Sequence, residues 1–350
     1  MGVDIWATLL TRNEMLDNRK LILTFDYELF LGRDTGTAQK TIIEPTKKIL
    51  AILSQYKAHG IFFIDATYLL TLKKFNHPDF REVQSQIRCI VEQGNNVELH
   101  LHPQWLDAEP LDTDRWHFKS FDHFRLHSLS DRELGFIFSE GKEIIEKCAQ
   151  QVNRNYTVNA FRAGGWSIAP FERIRPCFIQ ENIEMDFSVV PGMAEHNLPL
   201  HSYDFKKAPT SQSLWEFDTD PCQPMNGKNL FIEVPVTTYV TWGYNLIFNK
   251  LALRNKKNFV NGEGIRKSKV PKMSKLFQII RKVRRSFSID YNSNTFFVES
   301  LKLLPEQNAY VVCVSHPKAF TSVSECNLIY LLRKYPTLSK EEFIDRYNLR

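Results

Sequence analysis

Acids and imidazoles recur at a two-residue spacing in this chain. Asp26 and Glu28 close the stretch Leu21–Phe30, where an apolar run, Leu21–Leu23, passes into paired carboxylates. Successive side chains of a β-strand point to opposite faces. Asp26 and Glu28 therefore share a face with Ile22 and Thr24, while Leu23, Phe25 and Tyr27 cover the other. The same alternation sets Glu98, His100 and His102 together in the run Val97–Pro103. Acids at the end of a buried strand require a metal, a basic partner or hydrogen bonds. Two imidazoles projecting together, completed by Glu28 or Asp26, make a mixed nitrogen and oxygen donor set suited to zinc, iron, cobalt or nickel. The competing reading of Asp26 and Glu28 is a strand end surfacing into solvent. Arg162, Asp186 and His316 lie in or just after further apolar runs and supply a cation, an acid and an imidazole.

The elements that must position these groups alternate. Pro45 opens a helix with Ile49, Ile52, Leu53 and Tyr56 on one stripe, and Gly60 ends it. Strands are expected at Ile61–Asp65 and Asn96–His102, with a helix over 79–93 between them. Ser130 and Glu133 form a capping box that starts a helix reaching Gln151. Strand Thr157–Arg162, a helix over 170–181 shortened by Pro176, and strand Glu184–Val190 follow. After a polar excursion over 191–228 come strand Leu230–Val236, a helix near 296–304 and strand Ala309–Ser315. Helices opened by Ser322 and Ser339 close the chain. Strands separated by helices in short units imply parallel βα repeats. The architecture expected is a closed or nearly closed (β/α) barrel, with an open doubly wound sheet as the alternative. It occupies residues 20–350, after a lead-in over 1–19. An aromatic loop at 103–129 and a basic insertion at 245–295 interrupt it.

Composition narrows the class. The 350 residues are 43% hydrophobic, ordinary for a chain with a sizeable core. No apolar run reaches the roughly 18 residues of a membrane span, and the first 18 residues show no secretory pattern. Cys89, Cys148, Cys177, Cys222, Cys313 and Cys326 are scattered without CxxC spacing, which fits reduced thiols in a cytoplasmic protein. The net charge is +5, yet residues 250–285 hold thirteen Lys or Arg against Glu263 alone, a local balance of +12. Leu276, Ile279, Ile280 and Val283 run through that segment as an apolar stripe, so a basic amphipathic helix over 272–285 is expected. Such a helix suits anionic lipid headgroups at the inner face of a membrane, or an acidic glycan. A solvated cap packed on the barrel explains it equally. No DNA or RNA motif accompanies the charge, so nucleic acid is not an expected partner.

The order of five motifs resembles the polysaccharide deacetylase family, also called carbohydrate esterase family 4 or the NodB-homology domain. They are Thr24-Phe-Asp-Tyr-Glu28, Leu99-His-Leu-His-Pro103, Phe161-Arg-Ala-Gly-Gly-Trp166, Glu233-Val-Pro-Val236 and Ser315-His-Pro317. The resemblance spans about residues 20–335 and implies a distorted (β/α)7 barrel. It also implies a metal-dependent hydrolase removing N- or O-linked acetyl groups from sugars. By it, Asp26 matches the general base, Arg162 the arginine that positions the base, and His316 the general acid. Glu28 and His100 match metal ligands, for one divalent ion, zinc first among the candidates. The family's second histidine usually comes four residues after the first, where this chain has Gln104; His102, on the same strand face as His100, takes its place.

The residues agree with that chemistry. Hydrolysing an acetamide or acetate ester requires an activated water, a stabilised oxyanion and a protonated leaving group. A divalent metal supplies polarisation, Asp26 a base kept ionised by Arg162, and His316 a proton. Trp166, directly after the arginine motif, is expected to touch substrate, with Trp105 and Asp186. Trp105, Trp116, Phe118, Phe121 and Phe124 make the loop 103–129 either one wall of a glycan groove or a staple on the barrel surface. The resulting expectation is a deacetylase acting on an acetylated glycan or its precursor in surface polysaccharide biosynthesis. A catalytically silent carbohydrate-binding scaffold and a glycosidase are the alternatives.

Overall fold

The structure, a computed structural model, describes residues 19–32, 34–196, 202–227, 231–254, 279–306 and 308–347. The lead-in, apart from Arg19, and the centre of the basic insertion, including Leu276, lie outside the described residues.

Apolar alternation drives the chain into a parallel sheet of β1 (Lys20–Tyr27), β2 (Gly60–Asp65) and β3 (Asn96–Leu101). Two hairpin strands, β4 (Ala108–Pro110) and β5 (Trp116–Phe118), follow outside it. The sheet resumes with β6 (Ala160–Ala163) and β7 (Met185–Asp186), and a second small hairpin follows, β8 (Ala194–Glu195) with β9 (Tyr203–Asp204). Next come β10 (Trp215–Phe217) and β11 (Phe231–Glu233). The hairpin of β12 (Thr238–Trp242) and β13 (Lys282–Ser286) then precedes the last strand, β14 (Tyr310–Ser315). The principal sheet has eight strands in the order β10-β11-β7-β6-β3-β2-β1-β14, with β10 the antiparallel edge. Its parallel strands follow chain order with β14 returning beside β1. That excludes the doubly wound alternative, whose strand order must reverse.

The seam between β11 and β14 is closed by irregular backbone. Thr237 N–H donates to Val312 O at 3.1 Å, and Val314 N–H to Phe287 O at 3.1 Å. Phe287 N–H in turn donates to Thr237 O at 2.7 Å. The result is the expected distorted (β/α) barrel. Its interior is apolar at the bottom, where Ile22, Phe63, Val312, Leu338 and Phe343 pack together. Leu21, Leu23, Phe25 and Tyr27 point outward into the larger core beneath the helices. Above the apolar layer the inward positions turn polar, with Thr24, Asp26, His100 and Arg162 all buried.

Around the strands lie α1 (Glu44–Tyr56), α2 (Ala66–Lys74), α3 (Asp79–Glu92) and α4 (Asp131–Ala149). They are followed by α5 (Arg175–Gln180), α6 (Gly243–Leu253), α7 (Asn294–Leu301), α8 (Ser322–Lys334) and α9 (Lys340–Tyr347). The Ser130/Glu133 capping box forms as expected. Helix α2 has no signal beyond its cap, the Asp65 side chain accepting from Tyr68 N–H.

Several boundaries differ from expectation. Helix α1 ends at Tyr56 because Lys57 itself adopts the left-handed conformation (φ 51°), and Gly60 instead opens β2. The strand expected over 184–190 shortens to Met185–Asp186: Phe187 N–H still pairs with Phe161 O, but beyond it Ala163 N–H donates to Ser188 Oγ and Val189 N–H to Glu233 Oε1, so side chains replace the backbone ladder. The helix expected over 272–285 gives way to a strand at its end: Ile279 is helical, Ile280 and Arg281 turn, and Lys282–Ser286 is extended. Lys282–Ser286 pairs antiparallel with Thr238–Trp242, and Arg284 and Arg285 alternate across that hairpin as β geometry dictates.

Candidate active site

Strand register brings the chemical groups together at the C-terminal rim of the barrel. β1 ends in Asp26 and Tyr27 with Glu28 just beyond; β3 delivers His100, with His102 just after it; β6 delivers Arg162; His316 directly follows β14. His100 is the register partner of Asp65 on one side and of Arg162 on the other.

Asp26 is held by Arg162, whose Nη1 lies 2.5 Å from Oδ1. The guanidinium is wholly buried, donates to Thr24 Oγ1 at 3.0 Å and Phe187 O at 2.9 Å, and stacks 4.4 Å over the Phe63 ring. These contacts fix it before substrate arrives. Burial alone would push the Asp26 pKa up, but the charges of Arg162, His316 and His100 outweigh it and hold the carboxyl below its ordinary value. The second oxygen, Oδ2, faces His316 Nε2 at 3.5 Å.

His316 is oriented by Asp290, which the sequence reading missed. Asp290 Oδ2 accepts from His316 N–H at 2.8 Å and meets its Nδ1 at 3.0 Å, while Oδ1 accepts from Ser315 Oγ at 2.8 Å. Burial lowers the imidazole's pKa, yet the Asp290 hydrogen bond and the Asp26 and Asp290 charges together raise it above the usual histidine value. Asp290 had no motif to announce it, because it approaches from the irregular segment after β13.

Glu28, His100 and His102 form a second cluster with ligand atoms within 4.8 Å of one another. Glu28 Oε2 lies 3.3 Å from His100 Nε2 and in close contact with His102 Nε2. His100 Nδ1 sits 2.7 Å from Arg162 O; a carbonyl only accepts, so Nδ1 carries the proton and Nε2 presents a lone pair. Nδ1 of buried His102 lacks a hydrogen-bond partner among the described residues, while its Nε2 meets Glu28. Two buried imidazoles converging on one carboxylate oxygen are what a cation-binding set requires. Charge points the same way, since Asp26, Glu28, Asp65 and Asp290 gather against Arg162 and Lys318. The residues present therefore fit a divalent ion of the zinc, iron, cobalt or nickel type.

Lys318 and Asp65 were also missed. Lys318 Nζ donates to Glu28 Oε1 at 2.7 Å, leaving Oε2 for the histidines. Despite burial, Lys318 and His102 hold the Glu28 pKa well below the carboxylate norm. Asp65 caps α2 and accepts from Thr67 Oγ1 at 2.5 Å; its Oδ2 is buried without a partner among the described residues. Gly164 explains how His102 fits: a Cβ there would strike Leu101 O and lie 2.6 Å from His102 Nδ1.

Two expected substrate contacts need correction. Trp105 is entirely buried, packed at 4.6 Å on Tyr68 and 5.3 Å on Trp116, so this part of the loop 103–129 staples itself to α2 instead of lining a groove. Asp186 is also entirely buried, bonded by Ser188 Oγ at 2.6 Å and in register with Glu233. Neither presents surface to a ligand. Trp166 is half-buried beside the Arg162 motif, edge-on to Tyr203 at 5.6 Å. Glu98, on the face of His100 and His102, lies lower in the barrel and pairs with Lys340 at 2.5 Å. Gln104 is buried, with neither amide atom hydrogen-bonded among the described residues.

No protein-family model matches the sequence, and no curated protein matches it. The likeness lies in structure. A protein from Mycobacterium smegmatis, described provisionally as a polysaccharide deacetylase, superposes with a TM-score of 0.50 at 12% identity, over 96% of this chain and 93% of that one. The fold is that of the polysaccharide deacetylase, or family 4 carbohydrate esterase, barrel. More distant matches are a family 4 pseudoenzyme from Bacillus anthracis (12% identity, 93% and 66% of the two chains, TM-score 0.37) and a family 4 carbohydrate esterase from Streptomyces lividans in complex with acetate (15%, 51% and 64%, TM-score 0.29).

Proposed function

We propose that this protein is a metal-dependent hydrolase that removes acetyl groups from a carbohydrate, with a glycan or glycan precursor of surface polysaccharide biosynthesis as substrate. The observation that supports it most is the adjacency, on one barrel rim, of a Glu28–His100–His102 donor set, an Arg162-held Asp26 and an Asp290-held His316.

A divalent ion bound by Glu28, His100 and His102 would polarise the acetyl carbonyl and acidify a water. The protein's own groups do the proton work. Asp26 accepts the proton of the attacking water at Oδ2, the oxygen that Arg162 leaves open. His316 donates its Nε2 proton to the departing amine or alkoxide as the carbonyl–heteroatom bond breaks, and Asp290 stabilises the imidazolium beforehand. Trp166 offers an apolar face for the sugar ring. Acetate and a deacetylated sugar leave.

A glycosidase needs one carboxylic acid kept protonated beside the scissile bond. Asp26 and Glu28 are instead both held low, which disfavours that reading. A silent carbohydrate-binding scaffold draws its support from Gln104, at the position of the family's usual second histidine. Acetate release from an acetylated chitooligosaccharide or xylan, compared among wild type, Asp26→Asn and His316→Ala, tests the proposal. Release by wild type that both variants abolish is expected; equal release by all three contradicts the assigned roles.

A further inference from the structure

We infer that helix α6 forms, with the hairpin edge beside it, a surface that docks on an anionic lipid bilayer. This inference does not depend on the deacetylase reading.

The helix is built inside out. Its sequence, Gly243-Tyr-Asn-Leu-Ile-Phe-Asn-Lys-Leu-Ala-Leu253, carries Tyr244, Ile247, Phe248 and Leu251 at the spacing of a single helical stripe. Such a stripe ordinarily faces the core. Here these residues are 42%, 40%, 66% and 58% exposed. The inward contact is made by a polar residue: buried Asn249 donates to Tyr291 O at 2.9 Å, and its Oδ1 accepts from Ser293 N–H at 2.7 Å. Polar bonds therefore fix which face turns outward. Trp242, stacked on Tyr244 at 6.2 Å, and Ile280, 65% exposed, extend the apolar patch.

Cations surround it. Lys250, Arg254, Arg281 and Lys282 are exposed, and Lys282 Nζ lies 5.6 Å over the Trp242 ring. Trp and Tyr beside an aliphatic stripe, ringed by basic residues, suit a headgroup interface over an acyl layer. A second copy of this chain would oppose the same charge to itself, and a soluble acidic glycan would leave the stripe in water. No helix among the described residues is long and apolar enough to cross a membrane. The Tyr291–Ser293 backbone that anchors Asn249 continues directly from Asp290, tying the docking helix to the rim that holds His316.

Co-sedimentation of the full chain with phosphatidylcholine vesicles, with and without phosphatidylglycerol, tests this. Wild type is expected to bind the anionic vesicles and to release them as salt rises. Phe248→Glu/Leu251→Glu should weaken binding roughly tenfold or more, with thermal unfolding unchanged because both side chains are exposed. Phe248→Leu should retain it. Failure of wild type to bind anionic vesicles, or equal binding by the double variant, overturns the inference. So does concentration-dependent dimerisation that the double variant abolishes in the absence of vesicle binding.

Discussion

Arg162 grips one oxygen of Asp26, at 2.5 Å, and leaves the other facing His316 at 3.5 Å. In the proposed mechanism the two oxygens of this carboxylate have separate work, one anchored and one serving as base. Asp26→Asn keeps the shape and removes the base. We expect acetate release to fall roughly 10²–10⁴-fold and the thermal unfolding temperature to fall as well, because buried Arg162 loses its counter-charge; steady-state assays and calorimetry check the two halves.

Asp290 acts through His316. Asp290→Asn should keep a partner for the backbone N–H while weakening the hold on Nδ1. We expect kcat to fall roughly tenfold or more with KM little changed. A parallel rise in KM would place Asp290 at the substrate instead.

Gly164 makes room for the His102 ring. Gly164→Ala puts a Cβ against Leu101 O and His102 Nδ1, so the ring must shift. Zinc affinity, measured by competition with a chromophoric chelator, should drop about 10–100-fold. Unchanged affinity would remove His102 from the ligand set.

The buried acids behind the site should govern stability against pH. Burial raises the pKa of Asp186 to about 6, against lowering contributions from Glu233 and Ser188, and burial together with the Asp186 charge raises that of Glu233 further. A folded pKa above the unfolded value means stability is fully present below about 4 and is lost as pH rises through about 6. Asp186→Asn cannot ionise. In urea unfolding, its stability relative to wild type should therefore rise between pH 4 and 7, by on the order of 2–3 kcal/mol.

Much of this site could be read from alternation alone. Asp26, Glu28, His100 and His102 are spaced by two on strands, and a period of two commits side chains to one face whatever the tertiary details. Arg162 and His316 became legible through neighbouring motif residues. Asp290 and Lys318 did not, because each reaches the site from outside the strands, where no period of two governs direction; Asp65 ends β2 on the face of Ile61 and Phe63, and alternation could have placed it. Trp105 and Asp186 failed for a different reason. Sequence shows that a side chain is near a strand end, but not whether α2 or the β7–β11 pair will cover it. Lys282–Arg285 were read into a helix because Val283 continues the helical spacing of Leu276, Ile279 and Ile280, whereas pairing of Lys282–Ser286 with Thr238–Trp242 decides the form.

Acetate release by the purified protein, before chelation, after chelation and after return of zinc or another divalent ion, bears most directly on the proposed activity. A metal-dependent deacetylase must release acetate from an acetylated glycan, lose that activity on chelation and regain it with the ion. Release that survives complete metal removal would contradict the metal-dependent mechanism, and no release from a fully metal-loaded protein across acetylated glycans would leave a binding scaffold in its place.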